Sequence, residues 1–347
     1  SISKFKADTF TKFKVDYEER NKKIFTSQDA YNDDFLRNHS LNEYYKRYNP
    51  ETTDEILKII ESYSGYDICD DNCQASIDLG QVFSVDGDIF GERRQLYVKE
   101  GYSQIPLKLF EKANVEFILN TEVRKITKEG DYKIVHLIDS KGIRKSIKTK
   151  FISLSGTPGE IQSITSNKII NRDRFNLCNN TIPGSLFKLF LQFPKKDKWW
   201  GKNKQFQHGK TTTDLDIRQL HYYDNEDVLI YNCGIYAKKL NNLFATNLSL
   251  KAATDKVMSD IRKIHGRDIP NPDVAFTLYK YWPEGYQMWR IGVDIIHSAE
   301  EILNGIKDKS NIFIVGDTFS TYQGWVIGAI QTAKNAFELL DKEFKKK

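Results

Sequence analysis

Cysteine, methionine and proline are all scarce in this chain: four, two and eight residues among 347. Cysteines this few and dispersed exclude a disulfide scaffold. Cys69 and Cys73 stand either as a local disulfide or as two thiols, and without a second pair at zinc spacing or a nearby histidine they make no metal site. None of the six histidines falls in a metal-like or triad-like arrangement. Lys, Asp or Asn interrupts every apolar run well short of the roughly 18 residues a membrane-spanning helix needs. Also missing is Gly-x-Gly-x-x-Gly, because Gly87-Asp-Ile-Phe-Gly91 and Gly156-Thr-Pro-Gly159 have the wrong spacing and context. The opening Ser1-Ile-Ser-Lys-Phe-Lys is neither a signal peptide nor an initiator methionine, which predicts a processed or trimmed product.

What is present is an ordinary globular composition, 39% hydrophobic, 13% aromatic and 29% charged, which excludes disorder and collagen. The length predicts roughly two domains. Lys and Arg number 52 against 47 Asp and Glu, a net +5 that is scattered except at Lys342–Lys347. That tail reads as a solvated helix end, since no basic motif with interleaved aromatics accompanies it. Sequons at Asn38, Asn179 and Asn247, in a sequence rich in Asn, tilt the compartment toward secretory or extracellular over cytoplasmic without deciding it.

Residues 1–95 read as a helical subdomain, with periodic apolar positions such as Ile56, Ile59 and Ile60. Strand candidates follow at 95–98, 115–119, 122–126, 133–138 and 146–154, with a helix from 103 to 112 and turn signals at Glu129-Gly-Asp131 and Ser140-Lys-Gly142. Further strands are expected at 186–193, 220–223 and 228–232, and a helix over 247–265 with Leu250, Ala253, Val257, Ile261 and Ile264 on one face. The chain ends in an apolar strand, 311–315, a Gly316-Asp317 loop and a helix from Gly324 to about Glu343. A buried strand that re-enters a helix through a glycine-bearing loop aims backbone N–H groups at a ligand. Lys188, amid Leu186, Phe187, Leu189, Phe190 and Leu191, is costly on so apolar a strand unless solvated or paired.

The string from Ile312 to Ala336, with Gly316-Asp317 and Gly324-Trp325-Val326, resembles the C-terminal FAD motif of flavin-containing amine oxidases and L-amino-acid oxidases. Further segments resemble that family in the same order: 98–106, 120–126, 181–193 with Trp199-Trp200, 211–223 and 281–290. The resemblance implies an α/β fold with a discontinuous FAD-binding domain, at 96–165 and 290–347, lacking its first βαβ unit. A mixed-sheet and helical substrate domain takes 166–289. It implies that Val123 meets the adenosine end of FAD, that Gly316 and Asp317 hold the ribityl or pyrophosphate region, and that Gly324, Trp325 and Val326 lie along the isoalloxazine with Trp282 packed nearby. Lys188 would hold the water that bridges to flavin N5, and Trp325 and Trp289 would wall the substrate amine.

The activity so implied is oxidation of an L-amino acid or primary amine, giving a 2-keto acid, ammonia and hydrogen peroxide. Oxidative decarboxylation to an amide and a non-catalytic scaffold stay open beside it. Two departures matter. Where relatives bind the substrate carboxylate with a tyrosine, this strand offers Asn232, with Tyr231 one position earlier; Tyr223 is a further substrate candidate. One residue of offset in a strand turns a side chain to the other face. The missing glycine-rich unit predicts a second chain that supplies it.

Overall fold

The computed structural model describes residues 2–64, 73–77, 79, 98, 100–195, 199–200, 209–223, 226–247 and 249–345. Cys69, Gly87 and all but the last residue of the expected strand 95–98 lie outside them. The architecture is mixed α/β, with packed helices at the N-terminus and, among the described residues, three sheets after them.

Among the described residues, five helices come first: α1 (Ile2–Asn21), α2 (Ser27–Asn32), α3 (Asp34–Asn38), α4 (Leu41–Tyr48) and α5 (Asp54–Ser64). Side chains set their starts. Asp33 accepts from the Leu36 N–H, and Ser40 and Glu43 form a reciprocal capping box. Aromatic side chains hold the group together: Phe13 meets Phe25 edge-on at 5.3 Å and Tyr48 at 5.3 Å. Two of the three sequon hydroxyls are helix caps, Ser40 for α4 and Ser249 for the helix that starts at Leu250.

Helix α6 (Gln104–Lys112) leads into an antiparallel meander of β1 (Thr121–Glu129), β2 (Tyr132–Asp139) and β3 (Arg144–Thr149), with Gly130 and Gly142 in the turns at positive φ. The expected strand 146–154 is two strands. β3 belongs to the meander, whereas β4 (Ile152–Ser155) pairs in parallel with β10 (Ile312–Val315) in another sheet. The split falls at Lys150, because β3 is largely solvent-exposed while Leu154 and the whole of Ile312–Ile314 are buried. The expected strand 115–119 is not one. It has no pairing partner among the described residues, and Val115, Phe117, Ile118 and Leu119 are exposed, the last at 74%. A strand's N–H and C=O groups gain from extension only when a neighbour pairs with them.

After α7 (Pro158–Ile164) and α8 (Arg172–Leu177) comes a five-stranded antiparallel sheet. Its order is β6 (Gly209–Thr212), β7 (Gln219–Tyr222), β8 (Asp227–Cys233), β5 (Thr181–Gln192), β9 (Leu278–Trp289). Phe187, Leu189, Leu191, Val228 and Ile230 point to one face. They pack there on α9 (Gly234–Thr246) and α10 (Leu250–His265) through Leu240, Val257, Met258 and Ile261. The last helices are α11 (Ile295–Leu303) and α12 (Val326–Phe344).

One buried cation fixes where β10 begins. Arg174 on α8 donates Nε to the Ile302 carbonyl (2.8 Å), and its terminal nitrogens reach Asp308 (3.0 Å), Ser310 Oγ (3.0 Å) and the Ile312 carbonyl. Burial pushes the Asp308 carboxyl up, but Ser310 and Arg174 outweigh it and hold it below the usual range. Arg174→Met should therefore cost about 3–5 kcal/mol, since it strands a buried carboxylate. Adding Asp308→Asn should recover part of the loss, read as urea midpoints. A double variant no more stable than Arg174→Met would show that the ion pair is not the source.

Candidate functional site

Antiparallel register puts directly opposed residues on the same sheet face. Lys188 on β5 stands opposite Tyr231 on β8 and Lys280 on β9, and Leu186 stands opposite Trp282. In the adjacent row Lys210 faces His221, His221 faces Leu229, and Leu229 faces Phe190. Lys188, Tyr231, Trp282 and His221 thus share the face turned away from the α9–α10 core. Lys188 Nζ lies 5.4 Å from the centre of the Tyr231 ring, and the Tyr231 and His221 rings meet edge-on at 6.2 Å. An aromatic face next to the ammonium lets the lysine sit half-buried on an apolar strand.

These two rows hold Lys210, Lys188 and Lys280 and no carboxylate; Asp227 lies one row further on. Burial first, then Lys210 and Lys188, push the His221 imidazole down to about 4. Its Nε2 lies 3.1 Å from Gln219 Oε1, and Gln219 Nε2 donates to the Ser62 carbonyl of α5 (2.9 Å). A cleft of about 510 Å³ opens between α5 and the β6 edge, lined by Glu55, Lys58, Ser62, Thr212 and Asp214 among others.

The second part of the site is the loop from β10 to α12. Gly316 takes φ +121°, a conformation that favours glycine, and its N–H donates to Thr332 Oγ1 (2.9 Å). Asp317 accepts the Gly324 N–H on Oδ2 (3.0 Å), closing the loop on itself. Trp289 fastens it from below: the indole donates to the Ser320 carbonyl (2.9 Å), and the Trp289 N–H goes to Gln323 Oε1 (2.8 Å). The Tyr31 hydroxyl donates to the Thr321 carbonyl (2.9 Å). A methyl group on Gly328 would run into Ser320 Oγ and the Tyr322 carbonyl, so only glycine allows the helix this close. Trp325, the N-cap of α12, supplies no side-chain cap bond, and it, Val326 and Ile327 are exposed. The positive end of a 19-residue helix lies beside them.

The structure brings some of the expected residues together and separates others. Lys188, Tyr231 and Trp282 share a face, and Gly316, Asp317, Gly324, Trp325 and Val326 share a loop. Asn232 turns to the opposite face, where its Nδ2 donates to the Asp216 carbonyl (2.7 Å) among core side chains. Trp289 is 1% exposed and occupied with the loop backbone, so it walls no open space. Tyr223 sits beyond the end of β7 beside Asp227, two rows from Lys188. Val123 packs half-buried at an irregularity of the β1–β2 register. His221 and Gln219 were not singled out by sequence. The signal that finds them is the alternation of Gln219-Leu-His-Tyr222 together with the register of β7.

Exposed apolar side chains at a helix N-terminus, next to a carboxylate-closed loop, suit the ring and ribityl chain of a flavin; no group of side chains able to hold a metal occurs among the described residues. No described helix is long and apolar enough to cross a membrane. The profile of the flavin-containing amine oxidoreductases matches residues 6–338, and the chain belongs to that family. It is 26% identical over 323 residues to uncharacterized protein R188 of Acanthamoeba polyphaga mimivirus, covering 84% of this chain and 62% of that protein. A Dictyostelium discoideum protein named as a bifunctional amine oxidase is 23% identical over 166 residues, 42% of this chain and 15% of its own length. The family is flavin-containing, so FAD is the cofactor it implies, and the loop 316–326 is the part that fits it.

His221 makes stability depend on pH. As pH falls below about 6.5 the unfolded chain protonates this side chain, while the native one holds the proton off until about 4. Its contribution is complete above 6.5 and is lost between 6.5 and 4, by at most about 3 kcal/mol. His221→Gln should lose less stability than the parent over that window. Parallel denaturation curves for the two proteins would refute the shift.

Proposed function

We propose that this chain supplies the substrate face and the flavin-ring half of an FAD-dependent oxidase acting on an L-amino acid or a primary amine. The observation that carries this is Lys188, Tyr231 and Trp282 on one sheet face, in a chain whose loop 316–326 suits a flavin. Bound FAD supplies the chemistry by accepting the hydride from the α-carbon and returning the electrons to O2 as hydrogen peroxide. The imine left behind hydrolyses to a 2-keto acid, or to an aldehyde from a simple amine, and ammonia.

The side chains of this chain bind, orient and exclude water. Lys188 holds a water toward the flavin; Trp325 and Trp282 present apolar surface against which the amine is aligned. Tyr231 is the tyrosine on the face of Lys188, and its hydroxyl is the substrate-carboxylate donor of this reading. Lys188 and Lys280, in the row of Tyr231, attract an α-carboxylate and repel a polyamine, favouring amino acids.

The glycine-rich unit that cradles the pyrophosphate lies, on this reading, outside these 347 residues. Its docking surface is the apolar area exposed at α6, at 115–119 and along α12. The chain spans about 62% of the length of its mimivirus relative.

Purified with that unit, the protein should be yellow. Lys188→Met should keep the colour and slow oxygen-dependent turnover by about tenfold or more, the scale on which a lost catalytic contact is felt. A 2-keto acid with ammonia marks an oxidase; an amide with carbon dioxide marks a monooxygenase. A colourless complex, or unchanged turnover in Lys188→Met, would remove the reading or the lysine respectively.

A further inference from the structure

His221 is a half-buried titratable group on the substrate face to which the reaction above gives no task. Its orientation follows from its neighbours. Gln219 is buried and its amide nitrogen donates to the Ser62 carbonyl, so the amide oxygen is the atom turned to His221 Nε2, 3.1 Å away. A carbonyl oxygen only accepts, so Nε2 carries the hydrogen and Nδ1 carries the lone pair. No hydrogen bond within the protein claims Nδ1 among the described residues. Protonating Nδ1 would place an imidazolium between Lys210 and Lys188. The elements around the ring contribute Lys210 from β6, Leu229 and Tyr231 from β8 and Lys188 from β5, and α5, bonded to Gln219 at Ser62, brings Glu55 and Lys58 to the adjoining cleft.

We propose that His221 is a fixed hydrogen-bond acceptor for the substrate amine, its Nδ1 lone pair held toward an amine N–H by the Gln219–Ser62 link. This rests on the amine-oxidation reading and adds a residue to it. An amine reaches the site mostly as an ammonium ion, and its α-hydrogen leaves as hydride only after the nitrogen has given a proton to solvent and regained its lone pair. A neutral acceptor flanked by lysines favours the neutral amine. It satisfies one N–H without stabilising a full positive charge, as a carboxylate in the same place would. It also selects for amines that retain an N–H, so a tertiary amine loses the contact.

Two measurements test this. Nitrogen-15 NMR of histidine-labelled protein should show His221 neutral, with the hydrogen on Nε2, from about pH 5 to about 8. Gln219→Glu should still accept from Nε2 but stabilise the imidazolium, so that Nδ1 becomes a donor at neutral pH. In the FAD-loaded enzyme with its glycine-rich unit, Gln219→Glu and His221→Phe should each raise KM for a primary amine about tenfold with kcat little changed, the size expected for one lost hydrogen bond. For Gln219→Glu alone, KM should recover as pH rises and the ring is deprotonated. A hydrogen on Nδ1 in the parent, titration of His221 at an ordinary histidine pKa, or unchanged KM in both variants would overturn the proposal. If the loaded enzyme oxidises no amine at all, the amine-oxidation reading fails instead, and the NMR result still decides the tautomer.

Discussion

The Arg174 guanidinium is the contact on which the cofactor loop depends. β10 is four residues long and pairs with one strand, β4, among the described residues, too little ladder to fix its own position. Arg174 reaches the end of α11, the turn at Asp308 and Ser310, and the first residue of β10 at once. Asp308 in turn accepts the Asn171 N–H that begins α8 (3.1 Å). Charge-assisted bonds in a buried setting are strong and directional. With the start of β10 held, its end delivers Gly316 at a set height. From there the Thr332 hydroxyl, the Asp317–Gly324 bond and the Trp289 indole determine the rest of the loop.

The substrate face depends on a simpler constraint, the two-residue period of a strand. Phe187 and Leu189 commit β5 to the helical core on one side, and Lys188 between them has no choice of face. The same period settles Tyr231 and Asn232. Ile230 is committed to the core, so Asn232 follows it there, and Tyr231 is left beside Lys188. A tyrosine one place earlier than expected therefore reaches the lysine face, and Asn232 becomes a buried amide whose oxygen has no hydrogen-bond partner among the described residues. Gly184 and Gly285 belong to the same geometry. A methyl on either would strike Tyr286 or Leu186, so the β5–β9 approach requires glycine there.

Much of this was legible in the sequence where periodicity and turn chemistry act locally. The meander, β5, β7, β8, β10 and the last two long helices fall close to where alternation, 3.6-residue spacing and Gly-Asp signals place them. The loop residues 316, 317 and 324–326 were readable as a unit because they are contiguous. What was not legible depends on partners distant in sequence. The break at Lys150 reflects two sheets competing for one extended run, and the joint use of Lys188, Tyr231 and His221 exists only once three strands are in register. Trp289 reads as an aromatic wall in isolation. Only the fold shows its indole nitrogen committed to Ser320.

The segment 115–119 alternates and branches like a strand, and α6 is amphipathic, yet α6 has no buried residue and the segment has no ladder among the described residues. At the other end of the sequence, Ile327, Ile330 and Phe337 line an exposed face of α12, Phe337 at 68%. Apolar surface gains nothing from facing water, and each such side chain that becomes covered is worth about 1.5–3 kcal/mol. Half a dozen of them supply enough to offset the entropy of bringing a further folded unit into place. On the reading proposed above, the unit that brings the pyrophosphate turn would also pack on the 115–119 segment and cover α12, so cofactor binding and the burial of this surface become one event. The ring half of the site can wait because its order comes from Arg174, Trp289 and Asp317, all within this chain.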